Sequence, residues 1–465
     1  MTRPAHVESP PTATPAHAHV AVGDRRGIDA VTVLTVYFVL LFAIPSSMFF
    51  TSMNSLGRPS MLFGLGLMFW WLLDQLQRSA PPVHRVHQPV RVLVFAVLAV
   101  ALLSYGAALL RGQPADQTSP AMVSVLDLVS LAGVLLVAMD GITSLERFRA
   151  LAGRLVTAGA LMAALGLVQF ATGRVFVDMI AIPGMSNDTS EVGGRADFIR
   201  ATATASHPLE YAAVLSVCLP VAIALALDPV LSATRRHLSW CAVAVIATAA
   251  ALSVSRSALL GVAIGIVFIL PALPSAVRRA FAVGAIALAG ALAVLVPGML
   301  STIVAMFSGI SSDSSAQSRS AGIPAGLHFI GHSPIFGIGY GTFLPRYYIF
   351  DNQWMGIAIQ LGVVGLAAFA GLFGTGAWSA FSARLGVHAD EGARVYGQAL
   401  VAGILAIAML CASFDALSFP QAASLCFLLP GMAAALRRLY RGDAPPIVWR
   451  HEDTRALERY LRSGG

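Results

Sequence analysis

Long apolar runs recur from one end of this chain to the other, and they decide its class. A helix needs about 20 apolar residues to cross a bilayer. In lipid only helices and closed barrels can satisfy their own backbone groups. Runs of this kind fall near residues 28–50, 60–77, 90–110, 121–139, 151–172, 207–227, 238–254, 258–273, 280–297, 354–378, 395–414 and 418–436. The expected fold is therefore all-α, a polytopic membrane protein of about twelve transmembrane helices. The pair 238–254 and 258–273 is short and divided only by Ser255-Arg256-Ser257, so it could form a hairpin that does not cross at full thickness. A composition 57% hydrophobic and 11% charged excludes an ordinary soluble domain. Residues 1–27 are rich in Pro, Ala and His, too polar for a signal-peptide core, and read as a disordered cytoplasmic tail. The first span is then its own insertion signal.

All 30 basic residues are arginine, and the net charge of +7 is spread over loops along the chain. That spread gives no support to a nucleic-acid partner; it serves topology instead. Cytoplasmic loops retain positive charge. With the N-terminus inside, 22 of the 30 arginines fall on inside segments, seven of them in a basic C-terminal tail at 437–465. Both termini are then cytoplasmic, and residues 28–436 form the transmembrane domain. Two outside loops are long, about 173–206 and 298–353. The second reads as short helices lying over the membrane surface. Long loops are more often functional than inert, so the working face is expected outside the cytoplasm, in the inner or plasma membrane of a bacterium. The four cysteines lie inside apolar runs with no CxxC pair, which argues against a disulfide or zinc framework. No Asp-x-Asp or phosphate-binding GxxxxGK[ST] pattern is present, so neither a metal nor another cofactor is expected.

Pro334 to Gly365 is the chemically richest stretch. Gly337, Gly339 and Gly341 alternate with Ile338 and Tyr340, and Arg346, Tyr347 and Tyr348 follow. Asp351-Asn352-Gln353 then stands at the mouth of an apolar run. Polar groups at such a place suggest a functional site, or a helix cap supplied by Asp351. Among the outside arginines, Arg195, Arg200, Arg256, Arg319 and Arg346 lie in the long loops or in the Ser255–Ser257 turn. Guanidinium groups bind phosphate in bidentate fashion, so a pyrophosphate at the membrane surface would explain them. Pairing with lipid headgroups, Asp197 or Asp313 would explain them as well.

These motifs resemble the signature of the O-antigen ligase and Wzy-type polymerase superfamily of membrane glycosyltransferases. Pro334, Gly337-Ile338-Gly339, Asn352 and, after nine further residues, Gly362 and Gly365 match its pattern. Asp351 stands where the family has histidine. Ser255-Arg256-Ser257-Ala258 is similar to its Ser-Arg-Gly/Ser-Ala turn, and Arg200 to Thr204, before His207-Pro208, is a partial match to its Arg-x-x-Gly-Thr-Phe element. Arg319, fifteen residues before Pro334, fits its loop arginine. The first five spans match only in being hydrophobic.

The resemblance implies inverting, metal-independent transfer of a polyprenyl-pyrophosphate-linked glycan to a saccharide acceptor. Arg200, Arg256 and Arg319 would hold the pyrophosphate, and Asp351 would be the general base. Arg346, Asn352, His207, Glu210, His332 and Tyr347 are further candidates for donor or acceptor contacts; His332, His207 and Glu210 could each serve as base in place of Asp351. Membrane lipids are the remaining partners. A transporter or flippase of a lipid-linked saccharide is the alternative. It would be expected to carry cations along its spans, whereas here the arginines crowd one face.

Overall fold

The computed structural model describes residues 29–77, 87–187, 194–195, 198–253, 255–308, 314–386 and 390–441. The expected N-terminal tail lies outside the described residues, as do residues 442–465. Fourteen α-helices run through the described residues. They are α1 (Ala30–Phe42), α2 (Pro59–Gln77), α3 (Pro89–Leu110), α4 (Ala115–Gly141), α5 (Leu145–Thr172), α6 (Pro208–Leu227) and α7 (Ala233–Leu252). There follow α8 (Arg256–Ile269), α9 (Ser275–Leu295), α10 (Met299–Ser308), α11 (Ser314–His332), α12 (Gln353–Ala383), α13 (Glu391–Leu410) and α14 (Pro420–Arg441). Local sequence sets many of the starts. Asp29, Ser144, Ser232, Ser255, Asn352 and Asp390 each accept a first-turn backbone N–H of the helix that follows.

Each of the twelve expected spans coincides with a helix. Among the described residues, eight are long and apolar enough to cross a membrane: α3, α4, α5, α6, α9, α12, α13 and α14. The chain is a multi-pass membrane protein. Three expectations need correction. The first span was expected to reach residue 50, but α1 stops at Phe42, ahead of Pro45, and the chain turns into a strand, β1 (Met48–Phe50), paired with β2 (Met185–Asn187). A second short pair, β3 (Gly194–Arg195) and β4 (Phe198–Ile199), lies in the 173–206 loop; these two short ribbons aside, the described residues are helical and loop, as expected of an all-α fold. The C-terminal tail does not begin at 437, because α14 continues through Arg437, Arg438 and Arg441. Nor do α7 and α8 form a tight hairpin: both pack on α6, and α8 packs on α13 more than on α7.

The core is organised by α6, which is apolar all round and buried from Glu210 to Ala226. It contacts α5, α7, α8, α13 and α14, while α14 also packs against α4 and α12. At the periphery, α9 buries only Leu292.

One end of the bundle collects paired arginines. Arg149 Nε donates to Asp228 at 2.6 Å, and Tyr396 donates to the same carboxylate at 2.8 Å. Arg147 pairs with Asp29 at 3.0 Å, and Arg91 with Asp140. Arg438 donates to the Ile142 carbonyl at 2.6 Å. These residues all belong to segments that the arginine partition assigned to one side. The 298–353 loop, the start of α12 and the start of α6 gather at the opposite end.

Candidate active site at the mouth of a broken helix

The glycine-rich stretch does not lie on the surface. It plugs a break in α12. Gly362, at φ 67° and ψ −168°, interrupts the helix, and the segment from Pro334 to Gly341 runs beside the gap. The amides of Ile338 and Gly339 donate to the carbonyls of Ile359 and Gln360 at 3.0 and 3.2 Å. In return, the amides of Val363 and Val364 donate to the carbonyls of Pro334 and Ile335 at 2.8 and 3.3 Å. Ser104 of α3 also donates to the Gln360 carbonyl, at 2.8 Å. Backbone groups released at membrane depth must find partners inside the protein, and these bonds supply them. Gly337 and Gly362 both have positive φ, and a Cβ on either would lie 2.2 Å from the opposing backbone. The motif spacing from the proline to the second glycine pair is thus the spacing of one interlocked unit.

The start of α12 is fixed from several sides. Asn352, not Asp351, is the cap, its Oδ1 accepting from the Met355 amide at 3.1 Å. The Gln353 amide donates to the Cys411 carbonyl at 2.7 Å, and Trp354 Nε1 to the Ala408 carbonyl at 3.0 Å. Asp351 is therefore released from capping. It is half-buried at the mouth, next to the end of α13.

The loop Arg200–His207 is buried through Ala201–Ala205 and clamped from α5. Gln169 accepts from the amides of Thr202 and Ala203 at 3.1 and 2.8 Å and donates to the Ala203 carbonyl at 3.2 Å. At its end His207 caps α6, Nδ1 accepting from the Leu209 amide at 3.1 Å. Burial, and then the charge of Arg200, push the His207 imidazole down to about 4 against a smaller opposing pull from Asp351. His207 is neutral near pH 7. With Nδ1 engaged as an acceptor, the proton of the neutral ring sits on Nε2, which can donate a hydrogen bond.

Glu210 is fully buried. It accepts from Ser46 Oγ at 2.7 Å, the Ser206 amide and hydroxyl at 2.9 and 3.1 Å, and the Gln421 amide at 2.7 Å. A carboxylate so saturated with donors pins three chain segments together.

Other candidates fall in different places. Arg256 opens α8 behind the Ser255 cap. Five residues further on, Gly261 faces Ser216 of α6 and Leu410 of α13. Arg256 thus stands at the same end as His207 and Asp351. Arg319 lies on α11, its side chain outside the described residues; so do the side chain of Arg195, Asp197 and Asp313. Arg346 is exposed and paired with Asp116, and donates to the Tyr347 hydroxyl at 3.0 Å. Tyr347 also accepts from Gln117. These two residues moor the loop to the start of α4. His332 is exposed at the end of α11, with Nδ1 2.9 Å from the His328 carbonyl. Phe329 of that helix packs on Phe343 and Phe350 of the loop, at 5.0 and 6.3 Å between ring centres.

Beyond Asp351 the mouth opens into a polar cavity of about 340 Å3, lined by Arg58, Asp127, Tyr340, Gln353, Gln360 and Asp415 among others. Arg58 and Asp127 come from the α2 and α4 region, which the sequence marks only as hydrophobic. Asp415, which reads in the sequence as a turn cap, lines this cavity. It accepts from Ser418 Oγ. Burial raises its carboxyl above the ordinary range, the Ser418 bond opposes this, and the Asp351 charge adds to it. Asp351 therefore stands between two environments, the Arg200–His207 side and the carboxylate-lined cavity.

A search of curated proteins gave no match. Residues 241–370 match the family model described as O-antigen ligase. The matched segment holds Arg256, Arg319, the glycine loop, Asp351 and the break in α12, whereas Arg200, His207, Asp127 and Asp415 lie outside it. Over these residues the chain is similar to the O-antigen ligase family, which supports the resemblance its motifs show to the O-antigen ligase and Wzy-type superfamily.

Proposed function

We propose that the protein transfers a glycan from a polyprenyl pyrophosphate to a saccharide acceptor at the extracytoplasmic face of a bacterial inner membrane, with both termini cytoplasmic, with inversion and without a metal ion. One observation carries this reading. Asn352 caps α12, so the Asp351 carboxylate is left for chemistry at a mouth with Arg200, His207 and Arg256 at the same end. In the reaction the acceptor hydroxyl gives its proton to Asp351, and its oxygen attacks the anomeric carbon. The anomeric C–O bond to phosphate breaks, and the pyrophosphate leaves with the bonding pair. Arg200, Arg256 and Arg319 stabilise the charge that grows there, and their effect is strongest where water is excluded. His207 supplies one further hydrogen-bond donor through Nε2.

The transporter alternative draws on discontinuous helices, which such proteins use to bind ions through free backbone groups. The break in α12 supports that less well, because the chain's own loop takes up the freed carbonyls.

The test is Asp351→Asn in nanodiscs, supplied with the lipid-linked glycan of the producing cells. Since Asn352 does the capping, the fold is retained. Transfer is expected to fall by about 10²–10⁴, and Asp351→His to recover part of it. Full activity in Asp351→Asn removes the base assignment.

A further inference from the structure

We infer that the polar cavity enclosed by α2, α4, the first half of α12 and the α13–α14 turn is the subsite that binds the acceptor saccharide. This rests on the glycosyl-transfer reading above and adds residues that neither the motifs nor the family match contain.

The cavity presents donors and acceptors at fixed places. Gln353 Oε1 accepts from the Leu417 amide at 2.7 Å, and Gln360 Oε1 accepts from the Gly341 amide at 2.7 Å. With each oxygen engaged, the orientation of each amide is set and its NH2 is left as the free end. Both Nε2 atoms lie 3.9 Å from the point where a Cβ on Gly356 would stand, so the two amides converge. Gln353 is only 3% exposed and lines the cavity. Its NH2 has no hydrogen-bond partner among the described residues and is left to bond a ligand or water in the cavity. The same cavity is lined by two carboxyl groups, Asp127 and Asp415, by Arg58, which acts on Asp127, and by Tyr340. Amide donors and carboxylate acceptors together suit a ligand that donates and accepts at neighbouring positions, as the hydroxyls of a sugar do. The volume falls in the range of small-ligand sites, about 300–1,000 Å3.

Charge decides which substrate occupies it. Arg58 offsets one of the two carboxylates, so the lining keeps a net negative charge that disfavours a pyrophosphate, which would be drawn to the Arg200 side instead. A neutral saccharide meets no such penalty. Asp351 acts electrostatically on Asp415 and on His207 alike. A base in that position has the acceptor hydroxyl on one hand and the donor pyrophosphate on the other.

Two probes test this on the full-length protein in nanodiscs. One is the surface polysaccharide of the producing cells, cut by mild acid to short oligosaccharides. The other is inorganic pyrophosphate. Asp127→Asn, which keeps shape, and Asp127→Ala should each weaken oligosaccharide binding at least tenfold and leave pyrophosphate binding within twofold. Arg200→Ala should do the reverse. Oligosaccharide affinity unchanged in both Asp127 variants overturns the inference, as does a loss of pyrophosphate affinity in them. If wild type transfers glycan and binds pyrophosphate but binds no oligosaccharide, the subsite falls and the glycosyl-transfer reading stands. If it neither transfers nor binds either probe, both fall.

Discussion

The backbone of Gly337 lies so close to that of Gln360 that a methyl group on the glycine would stand 2.2 Å from the Gln360 carbonyl. The glycine loop and the broken helix are therefore a single mechanical piece, and substitution there tests it directly. Gly337→Ala and Gly362→Ala each combine a clash with a left-handed conformation costing about 1–2 kcal/mol for an L-residue. Each should lower the thermal midpoint in detergent sharply and reduce the monodisperse fraction on size-exclusion chromatography. Gly331→Ala, in α11 with open space around the new methyl, should be neutral or slightly stabilising. Equal behaviour of all three would show that the interlock contributes little.

Arg200 and Arg256 should matter through charge and fork geometry. Replacing either by alanine removes a charged hydrogen bond worth about 1.5–3 kcal/mol, or roughly 10- to 100-fold in transfer. Lysine should rescue poorly, because it lacks the planar fork. Measured initial rates close to wild type in both alanine variants would detach these arginines from the leaving group.

Glu210 separates a structural carboxylate from a catalytic one. Glu210→Gln puts a donor where the Ser46, Ser206 and Gln421 groups already donate, at a cost of about 1–3 kcal/mol for each group left unpaired. The expected result is a lower melting temperature and poor yield. A well-folded Glu210→Gln with normal stability but no transfer would instead make Glu210 the base.

His207 gives a pH signature. Its folded-state value, about 4, lies below the ordinary histidine value of 6.5. Between these values the unfolded chain binds more protons than the folded one, so stability falls as pH drops from about 6.5 toward 4. Thermal midpoints measured across that window should decline in wild type. Asparagine also caps helices, so the decline should be reduced in His207→Asn. A decline of the same size in both proteins would assign it to other groups.

Sidedness can be read with single cysteines in a background lacking the four native ones. Ile349→Cys, on the exposed loop, should react with an impermeant maleimide on intact cells. Thr234→Cys, at the start of α7, should react only after permeabilisation. The opposite pattern would invert the topology.

Much of this was legible in the sequence because it depends on local composition. Apolar runs located twelve of the fourteen helices, and the spacing from Pro334 to Gly365 marked the unit around Gly362. What escaped depends on contacts between distant segments. A glycine inside an apolar run looks like any small packing residue, so the break at Gly362 gave no signal of its own. Asp127 is a single acid within an apolar run, and only the placement of α4 beside α14 brings it to Asp415. Asp351 and Asn352 are adjacent and both good caps, and only the geometry separates their roles. Glu210 read as an interfacial candidate because two of its donors, Ser46 and Gln421, lie far away in the chain.

Those distances have a consequence for biogenesis. Glu210 takes one hydrogen bond from Ser46, 164 residues upstream, and another from Gln421, 211 residues downstream. A nascent chain that has threaded α6 into the membrane carries a carboxylate in apolar surroundings with part of its partners still unsynthesised, an arrangement that is costly in lipid. The cost is lifted only when the last helix, α14, is in place. Insertion of α14 is thus built into the stability of the centre, and a product truncated before Gln421 would present quality-control proteases with an exposed defect.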